Sequence, residues 1–106
     1  MKQIDIVAVK ELSSGGKIQW TNHALVRIFQ RKISQKDIKK AIADGEIIEQ
    51  YKDDYPHPSC IVLGPKSGAN SLHVVCGVGD GKLWIITAYK PDREIWDESL
   101  KQRRDR

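Results

Sequence analysis

The chain has 106 residues, of which 40% are hydrophobic and 30% charged, and its formal net charge is +4. This length and composition exclude disordered and fibrous proteins and predict a single globular domain over residues 1–106. The apolar run at residues 83–89 is too short to cross a bilayer, and residues 1–12 lack the apolar centre of a signal peptide. We therefore expect a cytoplasmic protein without membrane contact.

Positive charge is concentrated in one part of the chain. Residues 27–40 carry six basic side chains and one acidic one, a local net charge of +5, whereas residues 41–54 carry −4. The tail at residues 99–106 is again basic, with +3. A positive end suits a polyanion better than a neutral metabolite, but solvated helix faces give the same pattern. Charge alone leaves both interpretations open.

Helical periodicity predicts three helices in the first half. The first has one apolar face and ends in the Ser-Ser-Gly-Gly of residues 13–16; that face comprises Ile4, Val7, Ala8 and Leu12. Thr21 is the predicted N-cap of the second helix, which runs through Arg31. Its inward residues are Ala24, Leu25 and Ile28.

A third helix is predicted to begin at a capping box of Ser34 and Asp37 and to end at Gly45. Its buried residues are Ile38, Ala41 and Ile42. The three short helices therefore form a compact first half.

The second half changes to the pattern of strands. A short apolar segment at residues 47–51 precedes a turn-rich loop at 53–58, and strands are predicted at 59–63, 72–78 and 82–90. The Gly-Asp-Gly of residues 79–81 indicates a hairpin between the last two. We expect an α+β fold with N-terminal helices packed on a roughly four-stranded antiparallel sheet, and residues 17–20 offer a further edge strand.

Strict alternation assigns the strand residues to faces. It places Leu72, Val74 and Cys76 on one face of their strand and His73 and Val75 on the other. In the last strand it predicts a single shared face for Leu83, Ile85, Thr87 and Tyr89. The register between the strands is not fixed by this pattern.

One helical face carries candidate chemistry, because His23, Arg27 and Arg31 follow one another at intervals of four residues. A helix N-terminus disfavours a protonated imidazole, so His23 is expected to be neutral and able to accept a proton. A neutral imidazole beside two guanidinium groups suits phosphoryl transfer. The alternative is that His23 caps or packs while the arginines are surface charges.

Metal and cofactor motifs are missing from the sequence. It has no C-x-x-C, H-x-x-x-H, Asp-rich calcium loop, Walker loop or G-x-G-x-x-G motif, so we expect no metal and no cofactor. The two cysteines, Cys60 and Cys76, are predicted to be buried thiols. His73 and Tyr89 have structural alternatives, as a satisfied strand histidine and a residue at the rim of the core.

Several segments together resemble a known family. The Thr-x-His-Ala-x-x-Arg pattern within residues 20–27 resembles the opening of the domain-of-unknown-function 4258 family, as do residues 41–49, 58–60, 72–75 and 86–89 in this order. The resemblance runs from about residue 18 to residue 96. At the level of the fold it extends to RelE-like and barnase-like toxins, in which helices precede a curved antiparallel sheet that cuts RNA without metal.

The resemblance implies a metal-independent RNA endonuclease, the toxin of a toxin–antitoxin pair, with RNA and an antitoxin as partners. The implied catalytic residues are His23, Arg27, His73 and Tyr89. The implied substrate-binding residues are Ser59 and Thr87, and the helical spacing adds Arg31.

In the expected mechanism one histidine takes the 2′-hydroxyl proton, the second histidine or the tyrosine protonates the leaving 5′-oxygen, and the arginines stabilise the phosphorane. A non-catalytic module that binds protein or nucleic acid is the alternative. Three tryptophans and the acidic residues 92–98 suit a protein interface as well as a groove.

Overall fold

Apart from a short strand between the first two helices, helices come first and strands second, which confirms the α+β class. The computed structural model describes residues 3–65 and 70–104. Residues 1, 2, 105 and 106 of the predicted domain and its basic tail therefore lie outside the described residues. The elements in chain order are α1 Ile6–Ser14, β1 Ile18–Trp20, α2 Asn22–Gln30, α3 Gln35–Ala43, β2 Glu46–Tyr51, β3 Ser59–Gly64, β4 Leu72–Gly79 and β5 Lys82–Tyr89.

The sheet has five strands in the order β1-β5-β4-β3-β2. Strands β2 to β5 form the predicted antiparallel meander. The edge strand β1 pairs with β5 in parallel, Ile18 opposite Leu83, so the sheet is mixed rather than purely antiparallel. No hairpin joins these two strands; two helices and three strands separate them, and nothing local forces the antiparallel direction.

A β-bulge in β5 overturns the predicted faces of that strand. Cys76 lies opposite Ile85 and Val75 lies opposite Thr87, so Ile86 is an extra residue without a partner. Because of this insertion, Leu83 and Ile85 belong to the core beneath the helices, whereas Tyr89 lies opposite His73 on the other face. The final strand therefore does not carry these side chains on a single face.

The three helices cover one face of the sheet. The predicted caps are confirmed, because the Thr21 hydroxyl accepts a hydrogen bond from the Ala24 amide and the Ser34–Asp37 capping box is formed. The helical residues buried against the sheet are Val9, Ala24, Ile28, Ile38, Ala41 and Ile42. Two predicted inward residues, Val7 and Leu25, are instead exposed.

The inward face of α1 differs from the prediction because the helix starts later than expected. Asp5 is its N-cap, so Ile4 precedes the helix and does not set the phase of its apolar face. Val9 then points to the core in place of Val7. None of the helices in the described part of the chain is long and apolar enough to span a bilayer.

Residues 92–104, which we call the C-terminal segment, lie across the sheet face opposite the helices. Trp96 is almost fully buried and pairs with Arg103 through an isolated β-bridge. Lys101 forms an ion pair with Glu46 (3.2 Å), and Arg103 forms one with Glu49 (3.3 Å). The described part of the predicted basic tail is therefore held against β2 rather than free.

Candidate functional site

A cluster of polar side chains occupies the sheet face opposite the helices. Register places Glu49, Thr87, His73 and Tyr89 on this face, and two arginines reach it from α2 and from the C-terminal segment. We call this set the polar cluster; its members are Arg31, Glu49, His73, Thr87, Tyr89 and Arg103.

His73 is fully buried, and both of its ring nitrogens have partners. Nε2 lies 2.7 Å from the Leu100 carbonyl oxygen, which can only accept, so Nε2 carries the hydrogen. The other nitrogen, Nδ1, is therefore free to accept a hydrogen bond from the Tyr89 hydroxyl, 3.4 Å away. Burial lowers the pKa of His73, although donation to the Leu100 carbonyl opposes this effect. The His73 imidazole is thus neutral, with its hydrogen on Nε2 and with Nδ1 as the hydrogen-bond acceptor.

Tyr89 is the half-buried member that faces both arginines. Its ring meets the His73 ring edge-on, with centroids 5.3 Å apart. Burial raises the pKa of Tyr89, Glu49 adds to this rise, and the positive charges of Arg103 and Arg31 oppose it. The phenol therefore keeps its proton at neutral pH while two guanidinium groups act on it.

Arg31 and Thr87, both predicted to bind substrate, lie in contact. The Nη1 atom of Arg31 donates to the Thr87 hydroxyl (3.0 Å) and to the Ala88 carbonyl (2.9 Å). This carbonyl is open to a side chain because β1 ends at Trp20, opposite Ile85. The contact spans 56 residues of sequence, which is why the pattern alone could not reveal it.

Glu49 and Arg103 are members of the polar cluster that the sequence analysis missed. The Tyr51 hydroxyl donates a hydrogen bond to Glu49, and the guanidinium of Arg103 lies 4.5 Å from the centre of the Trp96 ring. The basic character of residues 99–106 was the available signal, but it did not indicate that this segment folds back.

Beside the polar cluster, the same face has a cavity of about 210 Å³. It is lined mainly by Asp54, Tyr55, Pro56, His57, Trp84 and Ile86, with Thr21 at the start of α2. Ser59, predicted to bind substrate, is buried at this place, where its hydroxyl donates to Asp54. Sequence reasoning missed the cavity; the signal was a loop rich in aromatic and polar side chains between two strands.

His23 and Arg27 do not join the polar cluster through any contact. Both are exposed on α2 and make no side-chain hydrogen bond or ion pair with another described residue. His23 precedes Arg31 by eight residues, which is about 12 Å along a helix axis. The structure therefore brings together four of the seven predicted site residues: Arg31, His73, Thr87 and Tyr89.

The cysteines are buried thiols, as predicted. Their sulfur atoms lie 3.8 Å apart on the helix side of the sheet, and the hydrogen bond that Cys76 shares with Cys60, together with burial, raises the pKa of Cys76 well above its usual value. Within residues 3–65 and 70–104, no three His, Cys, Asp or Glu side chains are grouped so that they could hold a metal ion.

Residues 20–90, about two thirds of the chain, match the family described as a domain of unknown function (DUF4258). The chain belongs to this family. The DUF4258 match runs from β1 to just beyond β5 and contains every member of the polar cluster except Arg103. No curated protein and no solved structure matches the chain, so its resemblance to RelE-like toxins stays a prediction.

Proposed function

We propose that the protein is a metal-independent RNA endonuclease whose active site is the polar cluster. One observation supports this most directly: the Tyr89 hydroxyl contacts the neutral His73 and lies in the field of Arg31 and Arg103. Cleavage of RNA by its own 2′-hydroxyl needs a proton acceptor at that hydroxyl and cationic groups at the phosphate. The polar cluster contains both.

In the proposed reaction the Tyr89 oxygen accepts the 2′-hydroxyl proton while its own proton passes to Nδ1 of His73. The 2′-oxygen then bonds to phosphorus, and the bond from phosphorus to the 5′-oxygen breaks. Arg31 and Arg103 stabilise the charge of the phosphorane. Water protonates the leaving 5′-oxygen, and His73 returns its proton through Tyr89 to the hydroxide that this leaves. The products are a 2′,3′-cyclic phosphate and a free 5′-hydroxyl.

The exposed stripe of α2 extends the site along the substrate. His23, Arg27 and Arg31 lie about 6 Å apart in succession along the helix axis, so they can follow the phosphates of one strand. We assign His23 and Arg27 to binding rather than to proton transfer. Substitution of His23 by alanine is then expected to raise KM and leave kcat unchanged.

The test is cleavage of a mixed-sequence RNA in excess EDTA. We expect wild type to cleave, Tyr89→Phe to lower kcat about 10²- to 10⁴-fold, and Arg31→Ala to lower it at least about 10²-fold. Arg93→Ala removes an exposed arginine outside the polar cluster and is the matched control, expected to behave as wild type. Cleavage by Tyr89→Phe at the wild-type rate would contradict the assignment of the active site to the polar cluster. Loss of cleavage in EDTA would indicate a metal-dependent nuclease instead.

Burial of His73 beneath the C-terminal segment favours a second candidate function, RNA binding without turnover. The Trp96 ring packs edge-on against His73 with centroids 4.5 Å apart, and this covers the imidazole. In that case gel-shift assays would show intact RNA retained by wild type and Tyr89→Phe alike, with affinity that falls steeply as salt rises.

We further propose that the protein is the toxin of a toxin–antitoxin pair. Support comes from an exposed apolar stripe on α2, formed by Leu25, Val26 and Phe29, at the start of the most basic part of the chain. Such a surface suits an amphipathic partner segment with acidic flanks. Expression of the wild-type protein should arrest cell growth, whereas expression of Tyr89→Phe should not. Co-expression of the protein encoded by the neighbouring reading frame should restore growth, and it should do so less well when the toxin carries Phe29→Ser.

A further inference from the structure

The cavity beside the polar cluster has the features of a site that stacks a flat ring. His57 and Trp84 are stacked, with ring centroids 5.7 Å apart and planes 27° from parallel. The indole is fixed in place because its Nε1 donates to the Gly79 carbonyl (3.0 Å). Gly79 is required here, since a Cβ at this position would overlap the His57 ring. The aromatic wall is therefore preformed.

The lining of the cavity also includes the carboxylate of Asp54. Within the described part of the chain, the side chain of Asp54 receives a hydrogen bond only from the Ser59 hydroxyl, at one of its two oxygens. A carboxylate offers about four acceptor positions, so most of this capacity is open to a ligand. Ser59 acts here as a positioning residue that orients Asp54.

The cavity adjoins the phosphate-binding part of the proposed active site. Ile86 lines the cavity and the next residue, Thr87, holds Arg31. Thr21, at the other rim, is the N-cap of the helix that carries this arginine. A nucleotide whose base enters the cavity therefore has its phosphate close to the polar cluster.

We infer that this cavity is a guanine-binding subsite of the proposed ribonuclease, an inference that rests on the proposed function. Guanine presents two parallel N–H donors, on N1 and on N2 at the adjacent carbon C2, which match the two oxygens of one carboxylate. Adenine, cytosine and uracil each lack this pair. Stacking against the aromatic wall of His57 and Trp84 supplies affinity for any base, and Asp54 supplies the selection of guanine.

The test measures binding without cleavage. The protein is titrated with GMP, AMP, CMP and UMP in turn, and the indole N–H signal of Trp84 is followed by NMR, assigned with Trp84→Phe. We expect GMP to bind about tenfold more tightly than the other three. Asp54→Asn should reduce this preference to less than about threefold, whereas the neighbouring exposed Asp53→Asn should keep it.

The outcomes separate this inference from the proposed function. Equal affinities for the four nucleotides, or a preference unchanged by Asp54→Asn, overturn the guanine subsite even when RNA is cleaved. Selective GMP binding that depends on Asp54 supports the guanine subsite even when RNA is not cleaved. In that case only the proposed ribonuclease activity is contradicted. An unchanged melting temperature in Asp54→Asn shows that the loss of preference is local.

Discussion

His73 links the polar cluster to the stability of the protein. Its two ring nitrogens join the C-terminal segment to β5, because one contacts the Leu100 carbonyl and the other contacts Tyr89. Burial favours the neutral form of this imidazole, because protonation would place a positive charge where water is excluded. Protonation is therefore expected to loosen this face of the sheet.

The stability of the protein should fall in mild acid. The pKa of His73 in the folded state lies below its ordinary value of 6.5, so below about pH 7 the unfolded chain binds more protons than the folded one. The free energy of unfolding therefore has its full value above pH 7.5. It decreases as the pH falls through 6.5 towards the lowered pKa, by at most about 1.4 kcal/mol per pH unit.

Urea unfolding at several pH values between 7.5 and 5 measures this dependence. His23→Gln removes an exposed imidazole and is expected to keep it. A free energy of unfolding that stays constant across the range would contradict the linkage. Asp37 and Asp97, whose pKa values are lowered by hydrogen bonds from Ser34 and Ser99, take up protons only in stronger acid and do not contribute in this window.

At the scale of elements, the contact between α3 and β3 depends on a glycine. Gly64 lies so close to α3 that a Cβ would overlap the carbonyl group of Ala41. Gly45, just after the helix, also approaches Ala41 and the side chain of Val62 closely. The helix and the strand can pack this tightly only because these positions lack side chains.

Substitution of Gly64 by alanine is expected to destabilise the protein by at least about 3 kcal/mol, because backbone atoms on both sides must shift to admit the methyl group. Thermal unfolding followed by circular dichroism measures the effect. Ala43→Ser, at an exposed position of the same helix, is the control and should change the free energy of unfolding by less than about 0.5 kcal/mol. A melting temperature of Gly64→Ala equal to that of wild type would contradict the packing.

The features that could be predicted from the sequence are those that depend on residues close together in the chain. The caps at Thr21 and Ser34 depend on residues three positions away, so the sequence reveals them. The bulge at Ile86 depends on the pairing of β5 with β4, and alternation counted along one strand cannot detect it. For this reason the sequence leaves the relative positions of His73 and Tyr89 open, and the predicted face of Tyr89 is wrong.

At the scale of the whole molecule, the C-terminal segment closes the second face of the sheet without regular secondary structure. Trp96 is 2% exposed and packs on His73, while its neighbour Ile95 is 40% exposed. Two ion pairs connect the segment to β2. The core of this small domain is therefore completed by a part of the chain beyond the last strand.

Trp96→Ala should lower the free energy of unfolding by about 3 to 5 kcal/mol, the usual cost of removing a buried aromatic side chain. Ile95→Ala, the adjacent substitution at an exposed position, should cost less than about 1 kcal/mol. Chemical denaturation of the two variants gives the comparison. Similar losses in both would show that Trp96 does not hold the segment on the sheet.

The parallel pairing of β1 with β5 has a consequence for synthesis of the protein. Strand β1 can pair only after β5 has been synthesised. The hydrogen bonds between these regions span long stretches of sequence: Thr21 donates to the Ile85 carbonyl across 64 residues, and Arg31 donates to Thr87 across 56. A chain that is still being synthesised contains the three helices, with His23, Arg27 and Arg31, long before it contains β5. The polar cluster is assembled only after β5 and the C-terminal segment have been synthesised, so a shorter nascent chain lacks the complete active site that we propose.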